Sequence, residues 1–166
     1  FAGTSYGSLT NEYENLVVLR TFSKLSGLAG LRVGYGIFPP AIIKHLWKIK
    51  QPYNVTVAGQ AAATASLKDP AWLQEKVGLI VAEREKLFNL LQELDGIEPL
   101  PSSSNFIFCR VHRGNARLIK ETLETRGVFI RYFNKPLLQN SFRISVGTPE
   151  QTAILMENLR EVLAAV

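Results

Sequence analysis

The most constraining feature of this sequence is one long helix signal in its middle. Asp69-Pro70 places an N-cap residue ahead of a proline at the first helical position. Leu73, Val77, Ile80, Leu87, Leu91 and Leu94 then recur at steps of three, four and seven, and Asp95-Gly96 supplies the stop. About 24 residues at ~1.5 Å each make a rod of roughly 36 Å. In a chain of 166 residues, a rod of that length predicts two subdomains with the helix between them.

The two flanks read differently. Ahead of the helix, Asn15 to Arg20 and Val33 to Phe38 have strand character, and Pro39-Pro40 ends the second. The segment between them, Thr21 to Arg32, is a loop rich in hydroxyls and glycines. Ala41 to Lys50 predicts a helix with Ile42, Ile43, Leu46, Trp47 and Ile49 on its apolar side, and Val55 to Leu67 a helix of small residues. After the long helix, strands are expected over Asn105–Val111, Val128–Arg131 and Ser141–Val146. A helix over Asn115–Arg126 is closed by Gly127, and Thr148-Pro149-Glu150-Gln151 matches a capping box that opens a last helix. The second flank is thus a compact α/β unit. The first has two strands, too few for an independently stable sheet.

Charge and cysteine usage narrow the function classes. Nineteen Lys and Arg against 14 Asp and Glu leave a net charge of +5, which suits a phosphate, a carboxylate or a nucleic acid. No nucleic-acid fold signature accompanies the charge, so no nucleic-acid partner is expected. A single Cys forms no internal disulfide, which points to a reducing compartment. No apolar run reaches the ~20 residues of a transmembrane helix, so no membrane partner is expected. The chain opens at Phe1 without a Met or a signal-peptide pattern. Either its start has been removed, or it is one piece of a longer protein.

Lys24 is the most informative residue. It lies between a strand and a Gly-rich loop, beside Ser23 and Ser26 and eight positions before Arg32. A lysine near other cations can become a nucleophile toward carbonyls, and hydroxyls with a guanidinium suit a phosphate. The plainer alternative is a solvated loop lysine. Gly27, Gly30 and Gly34 fit neither the dinucleotide fingerprint nor the P-loop, so both are rejected. Arg131 and Arg143 lie in or beside apolar strands, where a guanidinium either grips an anion or meets an acidic neighbour. Cys109 reads as a core residue. His45 and His112 have no companions in a ligand pattern, so no metal site is expected.

The segment TFSKLSGLAGLRVGYG resembles the lysine-bearing segment of fold-type I, pyridoxal-phosphate-dependent aminotransferases. SSSNFIFCRV, GVFIRYFNKP and FRISVGTPEQT follow in the family's order and favour its histidinol-phosphate branch. The resemblance covers essentially the whole chain and matches the second half of the enzyme. It implies an α/β fold with a C-terminal remnant of the large mixed-sheet domain over residues 1–68. An interdomain helix over 69–95 and a complete small α/β domain over 96–166 would follow. It implies pyridoxal 5'-phosphate held covalently by Lys24, which also moves the proton. Ser23 and Arg32 would bind the cofactor phosphate. Arg143 would grip a substrate carboxylate, Arg131 (with Arg143) the substrate phosphate, and Asn105 would lie near the substrate.

The implied reaction is L-histidinol phosphate plus 2-oxoglutarate giving imidazole-acetol phosphate plus glutamate, in histidine biosynthesis. Related readings are an aromatic aminotransferase, a phosphothreonine decarboxylase, or a non-catalytic module built on the small domain. The family implies small-molecule amino-donor and 2-oxo-acid partners, a homodimer at full length, and a cytoplasmic location, or a plastid one in a plant. Its Asp–Glu–Ala–Tyr segment, which holds the pyridine nitrogen and hydroxyl, lies just ahead of the match to Phe1. This chain alone is therefore expected not to be a competent transaminase.

Overall fold

The computed structural model describes residues 1–165. It forms two compact units, one over Gly3–Val77 and one from Gly78 onward together with Phe1–Ala2.

In the first unit, β1 (Val18–Thr21) and β2 (Gly34–Ile37) pair antiparallel, with Val18 opposite Ile37 and Thr21 opposite Gly34. α1 (Pro40–Ile49) and α2 (Val57–Lys68) follow. Thr56 caps α2, its hydroxyl accepting the Gly59 N–H at 3.0 Å. Phe22, Val33 and Ala63 form the buried cluster, with Leu28, Leu31 and Val55 against it. Gly59 makes this packing feasible: a Cβ there would lie 2.8 Å from Val33 Cγ2. The small-residue helix packs on one side only, burying Gly59 and Ala63 and leaving Ala58, Ala61 and Ala65 exposed. α1 buries none of its residues, and Trp47 and Ile49 are 68% and 75% exposed. Its expected apolar side is a real stripe that this unit does not cover.

α3 (Pro70–Gln92) begins in the first unit and continues into the second. Asp69 Oδ1 accepts the Trp72 N–H at 3.1 Å, the N-terminal bond that the Asp-Pro pair predicts.

The second unit holds a four-stranded sheet of β3 (Ile97–Pro99), β4 (Phe106–Val111), β5 (Arg131–Tyr132) and β6 (Ser141–Ser145). The order is β3-β4-β6-β5, and every pair is antiparallel. Strand alternation sends Ile107, Cys109, Val111, Phe142 and Ile144 to one face. There they meet Leu87 and Leu91 of α3, Ile119 and Leu123 of α4 (Ala116–Thr125), and Leu155, Met156, Leu159 and Val162 of α5 (Pro149–Ala164). Each fully buried side chain of this size contributes about 1.5–3 kcal/mol. The same alternation puts Phe106, Phe108, Arg143 and Ser145 on the other face.

Local signals explain how the pieces are held. Asn115 caps α4, accepting from the N–H groups of Arg117 and Leu118 at 2.9 and 3.2 Å. Thr148 and Gln151 form the full capping box of α5. Asn140 adopts a left-handed backbone (φ 49°) at the entrance to β6. Its side chain accepts from the Ala116 N–H at 2.7 Å and donates to the Val111 carbonyl at 2.6 Å.

Two expectations need correcting. The strand expected over Val128–Arg131 is a two-residue ladder at Arg131–Tyr132, because Val128 and Ile130 pack against the core without pairing. β3 was not expected. It is an edge strand of three residues containing Pro99, a position where proline leaves no ladder bond unmet. Among the described residues, no helix is long and apolar enough to cross a membrane, and no cluster of three or more His, Cys, Asp or Glu side chains could hold a metal ion.

Candidate active site

The chain's reactive groups fall into two clusters, one in each unit. The first is the loop between β1 and β2. The Phe22 N–H donates to the Val33 carbonyl at 3.1 Å, the Leu28 N–H donates back to the Phe22 carbonyl at 3.1 Å, and the Gly27 N–H donates to the Lys24 carbonyl at 3.2 Å. Gly27 takes a φ of 67° in this turn, a conformation that favours glycine. Phe22 is buried beneath while Lys24 is exposed above. The far side of the loop is tied to α2 by the Ser66 hydroxyl, which donates to Ser26 Oγ at 2.7 Å. Lys24 is therefore carried on an anchored turn.

Ser23 lies beside it. The Thr21 hydroxyl donates to Ser23 Oγ at 2.9 Å and accepts the Ser23 N–H at 3.1 Å. That arrangement leaves the Ser23 hydroxyl proton free to donate outward. Thr21 is a participant that the sequence reading passed over; its position at the end of β1, two residues before Ser23, was the available signal. Arg32 has a left-handed backbone (φ 54°), one of only two non-glycine residues with positive φ among those described. Such strain costs about 1–2 kcal/mol for a residue with a Cβ and collects at functional sites. One of its five N–H donors goes to the Ala29 carbonyl at 3.0 Å. Among the described residues, neither Lys24 nor Arg32 forms an ion pair. An exposed amine, an outward hydroxyl and a mostly unengaged guanidinium together suit an aldehyde that carries a phosphate.

The second cluster is on the polar face of the four-stranded sheet. Arg131 and Arg143 are directly opposite each other on β5 and β6, and Phe108 is opposite Arg143 on β4. The Arg143 guanidinium lies 5.0 Å from the centroid of Phe106, next to Asn105 at the start of β4. Asn105 is tied into the ladder, its carbonyl accepting the Val146 N–H at 2.9 Å, and its Oδ1 accepts from the Ser104 hydroxyl at 3.4 Å. Arg143 Nε is buried without a hydrogen-bond partner, and neither arginine pairs with an acid among the described residues. The alternative of a strand arginine paired with an acid thus has no ion pair to support it among the described residues, although Glu121 and Glu124 border the same cavity as Arg131. Cys109 is on the opposite, core face, fully buried, and burial pushes its thiol up to about 12. It is a packing residue.

The fold and these two clusters define a class. The chain superposes on histidinol-phosphate aminotransferase from Sinorhizobium meliloti, solved in complex with pyridoxal-5'-phosphate. The TM-score is 0.82 at 32% identity, over 92% of this chain and 42% of that one. The enzyme of the same name from Clostridium acetobutylicum gives a TM-score of 0.93 over the whole of this chain and 52% of that one; at 22% identity it speaks to the fold alone. This is the mixed α/β fold of the fold-type I aminotransferases. The chain belongs to the aminotransferase class I and II family, whose profile matches residues 1–159.

Among curated relatives, it is 55% identical to a chloroplastic histidinol-phosphate aminotransferase of Nicotiana plumbaginifolia, over 90% of this chain and 36% of that protein. It is 53% identical to the histidinol-phosphate aminotransferase of Roseiflexus castenholzii, over 98% of this chain and 44% of that protein. The chain thus spans about two fifths of the length of the curated relatives it matches. An L-threonine-O-3-phosphate decarboxylase from Porphyromonas gingivalis shares the fold with a TM-score of 0.85 but only 26% identity. The decarboxylase alternative is correspondingly not favoured.

Proposed function

We propose that this chain is the lysine- and arginine-bearing portion of a pyridoxal-phosphate-dependent transaminase. The reaction would be transfer between L-histidinol phosphate and 2-oxoglutarate in histidine biosynthesis. One observation carries the reading. Lys24, the Ser23 hydroxyl and a strained Arg32 share one anchored loop, and among the described residues neither Lys24 nor Arg32 forms an ion pair. The names of relatives more than half identical to this chain support the choice of substrate.

The donor set fits the cofactor. Pyridoxal phosphate supplies an aldehyde that takes up amines and a ring that accepts electrons. Lys24 Nζ would hold it covalently and, once a substrate amine has taken its place, would carry the proton that must leave one carbon and arrive at another. Ser23 and Arg32 would bind its phosphate, the first through a hydroxyl and the second through its fork of N–H groups. Arg143 would receive the carboxylate of an amino-acid substrate such as glutamate. Arg131, with Arg143, would receive the phosphate of L-histidinol phosphate. Asn105 would border the substrate.

In domain terms, we read residues 1–68 as part of the large cofactor-binding domain, 69–95 as the interdomain helix and 96–166 as the small domain. At full length we read the protein as a homodimer, cytoplasmic or, in a plant source, plastid-located. The chloroplastic name of the Nicotiana relative supports the plastid location.

The test is covalent trapping. The 166-residue chain is mixed with pyridoxal phosphate, reduced with borohydride and mapped by peptide mass spectrometry. The imine's visible absorbance, read before reduction, is expected to be lost in Lys24→Ala, and the reduced adduct is expected on Lys24. Equal labelling of Lys44, Lys48 and Lys50 would sink the assignment and favour a non-catalytic module.

A further inference from the structure

Arg131 and Arg143 pose a problem that their fold has to solve. Like charges directly opposite each other on neighbouring strands repel. An ion pair would relieve the repulsion, yet neither arginine forms one among the described residues, although Arg131 borders the same cavity as Glu121 and Glu124. Aromatic ring faces stand there instead. The Arg131 guanidinium lies 5.7 Å from the Phe133 centroid, and the Arg143 guanidinium lies 5.9 Å from the same ring. Arg143 also lies over Phe106, but among the described residues Phe133 is the one ring near both guanidiniums. Phe133 is in turn packed against Phe108, with centroids 6.0 Å apart and planes tilted by 41°.

The choice of partner matters chemically. A carboxylate would neutralise a guanidinium and occupy its N–H fork. A ring face attracts the cation through its quadrupole and leaves the in-plane N–H donors free. Two arginines oriented this way keep their charge and their donors for a ligand.

We propose that Phe133 is a positioning residue for the anion site, its ring face holding the guanidiniums of Arg131 and Arg143 side by side as a two-pronged receptor for a phosphate monoester. This rests on the reading above that the two arginines receive the substrate's phosphate. Phe133 itself makes no contact with the anion. It sets the separation and tilt of the groups that do.

The experiment is a titration of the 166-residue chain with inorganic phosphate at fixed ionic strength, read on the arginine Nε–Hε NMR signals. Those signals are assigned with Arg131→Lys and Arg143→Lys, so phosphate at Lys24 and Arg32 does not interfere. In the wild type, both signals shift with one affinity. Phe133→Leu, which keeps an apolar side chain, weakens that affinity about five- to tenfold and uncouples the two titrations. Phe133→Tyr restores it to within about twofold. Thermal unfolding is measured alongside; should Phe133→Leu lose its fold, Phe133→Met carries the same expectation. A purely packing role would lower Tm and leave the phosphate affinity of the folded chain unchanged, and that outcome overturns the proposal. So does a Phe133→Tyr variant no better than Phe133→Leu. Arginine signals that phosphate leaves unmoved in the wild type overturn the reading of the site itself, and the proposal with it.

Discussion

The two units differ in how they are held together. Among the described residues, fifteen buried apolar ones from Gly78 onward close a core, against three in Gly3–Val77. Nine of the ten ion pairs among the described residues lie in the second unit, with Lys76–Glu75 the exception. Conversely, eleven of the sixteen exposed large apolar side chains among the described residues lie in the first, among them Trp47, Ile49, Tyr53 and Val57. Charge divides the same way. Residues 1–77 carry eight Lys and Arg against four Asp and Glu, and residues 78–166 carry eleven against ten. The second unit spends its sequence on its own stability. The first spends it on exposed functional groups and surfaces that it does not bury itself. Being rich in α/β signals and being self-sufficient are therefore different properties.

The largest expected effect tests this contrast directly. Both tryptophans are in the first unit and the single cysteine is in the second, so each unit has its own probe. In urea, Trp fluorescence should change at a lower concentration than that at which Cys109 becomes reactive toward a thiol reagent. Phe142→Ala should destabilise the thiol-reported transition by about 3–5 kcal/mol, whereas Phe22→Ala should leave that transition where it is. Coincident transitions, or a thiol-reported shift from Phe22→Ala, would show one cooperative structure in place of two unequal ones.

A smaller effect sharpens the account of the second core. Cys109 is raised in the folded state from the ordinary thiol value of 9.0 to about 12. Between those values the unfolded chain loses a proton that the folded chain keeps. Stability should therefore fall as pH rises through that window, by about 1.4 kcal/mol per pH unit. Cys109→Ala should remove this share of the slope. Urea midpoints of the two proteins, compared upward from 9.0 into that window, would show parallel lines if the thiol were not buried.

The smallest effect concerns the first unit's strained residue. Arg32→Gly removes a Cβ from a left-handed position and should stabilise the tryptophan-reported transition by up to about 1 kcal/mol. It should also weaken pyridoxal phosphate binding, read by equilibrium dialysis. A variant that is both no more stable and no weaker in binding would remove the case that Arg32's strain serves the loop.

Much of the fold was legible because its signals are local. Asp69-Pro70, the Asn115 cap and the Thr148/Gln151 capping box each state their structure within four residues. β4 and β6 were legible as short runs rich in apolar residues. β3 was not, because three residues containing a proline carry no alternation to read. Val128–Ile130 misled because apolar β-branched residues look alike whether they pair in a ladder or only pack. In the candidate site, Lys24, Ser23, Arg32, Arg131, Arg143 and Asn105 were all nameable from motifs. The left-handed backbone of Arg32 and the ring that spans Arg131 and Arg143 were not. Both are set by tertiary contacts that no spacing encodes.

The strand order of the second unit has a consequence in time. β6 is the last strand in the sequence, yet it inserts between β4 and β5, and residues 112–140 separate it from β4. The β3–β4 pair can close early, across a short loop. β6 must wait for a long loop to close, which is the slow kind of pairing. Arg143 rides on that late strand, and its register partners on both sides exist only once the strand has docked. The anion receptor is thus among the last features a refolding molecule acquires. Phosphate, as a ligand of the finished sheet alone, should slow unfolding more than it speeds folding.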